Sequence, residues 1–309
     1  MKWTDMDHSF CEGHLLGLPE YYNSISSLFI VYFGMYGLMN LHNDIFIDML
    51  YASLAIVGFG STGYHWYGNI GWALFDEIPI IVTVFSGIVY TDNVYFLTYT
   101  NKFIKENSDI DLTLVGASRS VSVGERLNSV AFGTEAKEFK HKPVESNTII
   151  LPVRKLNTKL IYSKKYRLIG YLFGMYLFII SNVMSNFRLI FPQLFTCVVA
   201  YLYYKIYSLI QILDTRFQLR IKNKAFHSLL TIATSGAIWA GTEISCKHIN
   251  NPILLIGHPM WHFFIGHGFY NLIQVVFFIK NNNDNYCINY NSMYLLTICN
   301  QNDAINSQL

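Results

Sequence analysis

Seven stretches of this chain are apolar over nearly the whole distance needed to cross a hydrocarbon layer, at about 24–42, 45–66, 72–98, 167–184, 189–213, 226–247 and 258–279. A spanning helix needs roughly 20 such residues. Inside lipid every backbone N–H and C=O must be satisfied within the segment itself, which leaves helices as the outcome for runs of this length. Only 14% of the residues are charged, against about 25% in an ordinary soluble domain. The expected fold is an all-α membrane protein, a seven-transmembrane helix bundle with a polar insertion between helices 3 and 4. Residues 1–100 would hold an N-terminal segment and helices 1–3, 101–166 a mobile cytoplasmic insertion, 167–280 helices 4–7, and 281–309 a disordered, asparagine-rich tail.

Charge orients such a bundle. Of the 22 Lys and Arg residues, 13 lie in 101–167 and another 4 (Arg216, Arg220, Lys222 and Lys224) in 215–225. Seven spans put both segments on one side with the C-terminus, and the positive-inside rule makes that side cytoplasmic. The first twenty residues carry Asp5, Asp7, Glu12 and Glu20 and lack a basic stretch leading into an apolar one, so no cleaved signal peptide is expected. The N-terminus, the turn at 67–71 and the approach to residue 258 then share the opposite face. The net charge of +2 says little about partners, and with no basic face or nucleic-acid motif in the chain no nucleic-acid partner is expected.

That topology gathers polar residues at one depth. His65 ends the second apolar stretch, Asp76 begins the third, and His258 and His262 open the last. Ionisable groups are costly in hydrocarbon, so their presence there points to function. His258 and His262, four apart, share one helical face, and Pro259 suits a first helical turn. Three imidazoles suggest zinc, with one coordination position left for water. Asp76 would accept a proton from that water, and Ser61, one turn before His65, would donate a hydrogen bond to an oxyanion. Each residue taken singly has a plainer role: interfacial imidazoles beside Trp261, a helix cap at Asp76, a back-bonded serine at Ser61.

Together these residues resemble the alkaline ceramidase family, zinc-dependent members of a wider superfamily of seven-span membrane hydrolases that includes adiponectin-receptor-like proteins. Ser61-Thr62-Gly63-Tyr64-His65 resembles the family's Ser-x-x-x-His, and Asp76-Glu77-Ile78-Pro79 its Asp-Glu-Leu-Pro block eleven residues further on. His258-Pro259-Met260-Trp261-His262 resembles its His-x-x-x-His. Cys11-Glu12, then Glu20, Asn23 and Ser26, resemble its Cys-Glu and Glu-x-x-Asn-x-x-Ser segment. The resemblance covers 9–100 and 167–280. It implies hydrolysis of the ceramide amide to a sphingoid base and a fatty acid, with His65, His258 and His262 as zinc ligands and Ser61 and Asp76 as catalytic groups. It also implies a Cys11–Cys246 disulfide, Trp239 and Cys246 matching a family segment bonded to the N-terminal cysteine.

In relatives the N-terminal segment supplies a calcium site. Here Ser9 and His14 stand where the family carries aspartate and asparagine, and the interval from Glu12 to Glu20 is short. Glu12 and Glu20 remain as calcium ligands by resemblance, or as exposed juxtamembrane charge by their own composition. The functional expectation is an integral-membrane amide hydrolase acting on ceramide-like lipids. The location would be the endoplasmic reticulum or Golgi membrane, with a luminal N-terminus and a cytoplasmic C-terminus. Two alternatives stay open at this level: a related hydrolase of another membrane lipid, and a non-enzymatic seven-span lipid receptor with a structural zinc.

Overall fold

The computed structural model describes residues 10–40, 44–131, 167–177, 179–180, 191–281, 286–291 and 295–300, with side chains described for most of these. The helices are α1 (Cys11–Leu16), α2 (Tyr21–Met39), α3 (Ile45–Tyr67), α4 (Ile70–Ala131), α5 (167–177), α6 (Phe191–Gln211), α7 (Thr215–Cys246) and α8 (Gly257–Lys280), the last entered through a 3₁₀ turn at Pro252–Ile256. Two strands follow, β1 (Tyr286–Tyr290) and β2 (Leu296–Asn300), paired antiparallel with Tyr286 opposite Asn300.

Among the described residues, three helices are long and apolar enough to cross a membrane: Ile45–Tyr67, Ile70–Lys102 and Pro252–Lys280. The remaining expected spans fall on helices whose composition is more mixed. Helix α2 opens with the buried polar run Asn23, Ser24, Ser26 and Ser27, and α7 opens with Arg216, Arg220, Lys222 and Lys224. The expected fourth span, 167–184, runs beyond the described residues at its far end.

Two compact units are distinguished, 1–95 with 171–309, and 96–170. In the second, the described residues from 96 to 131 are helical throughout, and Arg167 lies over the Phe96 ring at 5.1 Å. A helix therefore continues through 101–131, at the start of the insertion expected to be mobile; residues 132–166 lie outside the described ones. The first unit holds the core. Helix α8 packs against α2, α3 and α7, and Tyr51 and Tyr270 sit fully buried between α3 and α8 with rings 5.4 Å apart. The strand pair, in a tail expected to be disordered, is clipped to α8: the Leu296 N–H donates to Asn271 Oδ1 at 2.7 Å and Ile288, Leu295 and Leu296 are buried.

Two polar locks mark the ends of α3 and α8 and show them antiparallel. At one end Asp44 Oδ2 accepts from Lys280 Nζ and from the Tyr90 hydroxyl, both at 2.6 Å, while Asp44 caps α3 through the Phe46 N–H. At the other end His65 of α3 meets His258 of α8, rings 4.7 Å apart. Helix rise separates Asp44 from His65 by roughly 30 Å, about one hydrocarbon thickness.

Candidate metal centre

The site is assembled by three local devices. Gly68 closes α3 in the left-handed conformation (φ 64°), its N–H donating to the Tyr64 carbonyl at 2.7 Å. Asn69 Oδ1 then accepts the Trp72 N–H and starts α4. The chain thus reverses within a few residues, and the first turns of α4 run back beside the end of α3. Gly60 lets them close up: a Cβ there would overlap the Phe75 carbonyl and stand 2.8 Å from the Asp76 nitrogen. The backbone of Asp76 is therefore pressed alongside Ser61's own helix. On the other side, Asn251 caps the 3₁₀ turn through the Ile253 N–H, and that turn feeds directly into α8 with His258 in its first turn.

His65, His258 and His262 are all buried. One ring nitrogen from each lies within 4.8 Å of the others. Which nitrogen this is follows from the other one. His65 Nδ1 is 2.6 Å from Glu20 Oε2, and His258 Nδ1 is 2.9 Å from Glu243 Oε1. An ionised carboxylate only accepts, so both imidazoles donate from Nδ1. The indole N–H of Trp239 lies 3.3 Å from His258 Nδ1 but cannot donate to a nitrogen that carries a proton; the shorter, charge-assisted bond decides. His262 Nδ1 is 2.8 Å from Ser26 Oγ, whose own proton goes to the Asn23 carbonyl at 3.0 Å. All three Nδ1 atoms are thus spoken for, which leaves Nε2 as the nitrogen each imidazole can turn toward an ion. A ligand imidazole tied through its far nitrogen to a carboxylate or hydroxyl is the usual supporting arrangement of a metal site.

Ser61 Oγ lies 3.5 Å from His262 Nε2 and accepts from Ser27 Oγ at 3.0 Å. Asp76 is half-buried, and its Oδ1 is one of two buried side-chain atoms that find no hydrogen-bond partner among the described residues. The other is Asn23 Oδ1. A carboxylate oxygen left without a donor is costly unless water or substrate supplies one.

Glu12 and Glu20 each serve donors within the chain. Glu12 caps the start of α2, its two oxygens accepting the Tyr22 and Asn23 N–H groups at 2.8 Å each. Glu20 accepts from His65, from the Asn23 amide at 3.1 Å and from the Phe10 N–H at 2.9 Å. Burial pushes the Glu20 carboxyl up, but the hydrogen bonds that His65 and then Asn23 donate to it outweigh this and hold the group below its ordinary range. Calcium takes six to eight oxygens; the contacts described for these two side chains are to backbone, amide and imidazole donors and lend no support to a calcium site.

Cys11 and Cys246 form a disulfide, Cα atoms 5.6 Å apart, fixing α1 to the end of α7. The Phe10 ring lies against His258 (centroids 4.5 Å) and His65 (5.0 Å), closing the histidines from the N-terminal side. The structure adds Phe10, Ser27 and Glu243 to the surroundings of the histidines. Only a fold brings these to the imidazoles, because each reaches its partner across helices.

Fold and site together define a helical protein with apolar, membrane-length helices and a buried three-histidine centre able to hold a metal ion. Residues 7–120 match the family model described as Ceramidase, and the match supports a ceramidase-family assignment. No curated protein matches the chain. The matched segment contains Ser61, His65 and Asp76 but ends well before α8, so the meeting of His258 and His262 with His65 is a separate observation.

Proposed function

We propose that this chain is an integral-membrane, zinc-dependent amide hydrolase that cleaves ceramide-like sphingolipids to a sphingoid base and a fatty acid. The observation that carries this reading is the convergence of three buried imidazoles, each oriented through Nδ1, next to a serine hydroxyl and on the bundle that holds an aspartate with one buried oxygen lacking a donor. The donor set fits zinc: three neutral nitrogens leave one position for water or substrate. The ceramidase match supports ceramide hydrolysis in general.

In this reading His65, His258 and His262 hold the ion. Bound there, it supplies Lewis-acid polarisation and brings the pKa of water down to about 7. Asp76 accepts a proton from the attacking water and returns it to the amine that leaves, so the C–N bond breaks as the new C–O bond forms and the proton count closes. The Ser61 hydroxyl donates to the carbonyl oxygen as negative charge builds there, with Ser27 holding it in line. Glu20 and Ser26 keep two of the imidazoles in the tautomer that presents Nε2. Ile47, Leu50, Gly87, Leu202, Ile206 and Phe269 line a small apolar cavity further along the helices that carry the site.

The seven-span arrangement, with a luminal N-terminus, a cytoplasmic C-terminus and residence in the endoplasmic reticulum or Golgi membrane, belongs to the same proposal. The antiparallel placement of α3 and α8, with Asp44 and Lys280 at one end and the histidines at the other, is compatible with two opposite crossings, while orientation and organelle rest on the charge distribution and the resemblance. The test is purified protein offered labelled ceramides of several chain lengths. The reading expects release of sphingoid base that is lost in Asp76→Ala and His262→Ala. Full activity in both variants would overturn it; hydrolysis of other lipid esters or amides but no ceramide would shift the substrate class.

A further inference from the structure

Glu243 stands near the C-terminus of α7 with its side chain 17% exposed, and both its oxygens are engaged by groups from elsewhere in the chain. Oε1 accepts from His258 Nδ1 at 2.9 Å, and Oε2 accepts the backbone N–H of Cys11 at 2.8 Å. One carboxylate therefore ties a candidate metal ligand on α8 to the N-terminal segment. Cys246, one turn further along α7, is covalently bonded to Cys11. Helix α7 thus grips the same residue twice, once through sulfur and once through a charge-assisted hydrogen bond. The neighbouring Phe10 lies on the rings of His258 and His65, and its N–H donates to Glu20, the acceptor for His65.

We infer that Glu243 is a positioning residue: it fixes His258 with Nε2 toward the ion and in the same contact fastens the N-terminal segment over the site. The inference rests on the metal reading above. Its chemistry is that of a carboxylate behind a ligand imidazole, which sets the tautomer, restrains the ring and raises the donor strength of the far nitrogen. The second oxygen adds a consequence particular to this chain. Assembly of the metal site and closure of the N-terminal segment are coupled, because a carboxylate that turns away from one donor abandons the other.

The experiment compares wild type with Glu243→Gln, Glu243→Asp and Glu243→Ala as purified full-length protein. Gln keeps the volume, but one of its two ends is an NH₂, so either His258 Nδ1–H or Cys11 N–H faces a donor. Zinc affinity is read by competition with a graded chelator, the ligand geometry by the visible absorption of the cobalt(II)-substituted protein, and the N-terminal segment by hydrogen exchange over residues 10–16 with the disulfide intact. A 10- to 100-fold loss of zinc affinity is expected for the Gln and Ala variants, with an altered cobalt spectrum and faster exchange at Cys11, and partial recovery in Asp. Wild-type zinc affinity and an unchanged cobalt spectrum in folded Glu243→Gln would overturn the positioning role while leaving the hydrolase reading intact. A wild-type protein that binds no zinc would overturn both.

Discussion

Gly60→Ala should uncouple hydrolysis from metal binding. The added Cβ would overlap the Phe75 carbonyl and lie 2.7 Å from the Phe75 carbonyl carbon and 2.8 Å from the Asp76 nitrogen. Ordinary contact for a methyl group is about 3.5–4.0 Å, so α4 must recede by about 1 Å, and the atoms in the way are backbone that cannot rotate aside. Overpacking of this kind costs about 1–3 kcal/mol of stability. The larger effect falls on catalysis, because Asp76 rides on the displaced helix while the imidazoles ride on α3 and α8. A misplacement of about 1 Å at a reacting group can cost on the order of 100-fold in rate. The assay is turnover of a labelled ceramide together with zinc content of the same preparation. The expected result is one retained zinc with turnover reduced about 100-fold. Wild-type turnover in Gly60→Ala would refute the assignment of Asp76, whereas loss of zinc along with activity would show that α3 itself had moved.

Three further outcomes follow from other contacts. Asp44 is held below its ordinary value of 3.8: burial opposes this, but the bonds from Lys280 and Tyr90, the Lys280 charge and the Phe46 N–H prevail. A depressed carboxylate stabilises the fold above its unfolded value and loses that contribution as pH falls through the folded one. Asp44→Asn should therefore cost on the order of 2 kcal/mol at pH 7, and the gap from wild type should shrink below pH 3.8 in acid-unfolding curves. Reducing the Cys11–Cys246 disulfide, which closes a sequence separation of 235 residues, should lower stability by about 2–5 kcal/mol, read as a fall in the thermal midpoint with reductant. Ser26→Ala should leave His262 Nδ1 without its 2.8 Å partner and weaken zinc binding about tenfold, measured by chelator competition.

The three-histidine cluster was largely legible in the sequence, because histidines are expensive in apolar stretches and the four crossings expected between His65 and His258 would return the chain to the same side. What supports the histidines was not. Ser26 reaches His262 from α2, and Glu243 reaches His258 from α7; no local spacing announces a pairing made across helices. Glu20 was read beside Glu12 as a calcium ligand, yet it serves His65, and Glu12 serves the start of α2. Residues 101–131 show why composition is weak evidence on polar segments: a solvated helix and a linker draw on the same residues. The tail carries an alternating Tyr286-Cys287-Ile288-Asn289-Tyr290 run that signals a strand, but the surrounding asparagines masked it. The apolarity of α3, of α4 as far as Lys102 and of α8 was plain from the sequence.

The most direct test of the account is to strip the purified protein of metal with a chelator and return zinc alone, following metal content and sphingoid-base release in the same sample. One zinc per chain should leave together with hydrolysis and return together with it, and His65→Ala should be unable to recover either. Undiminished ceramide cleavage by the metal-free protein would contradict the claim that His65, His258 and His262 form the reaction centre.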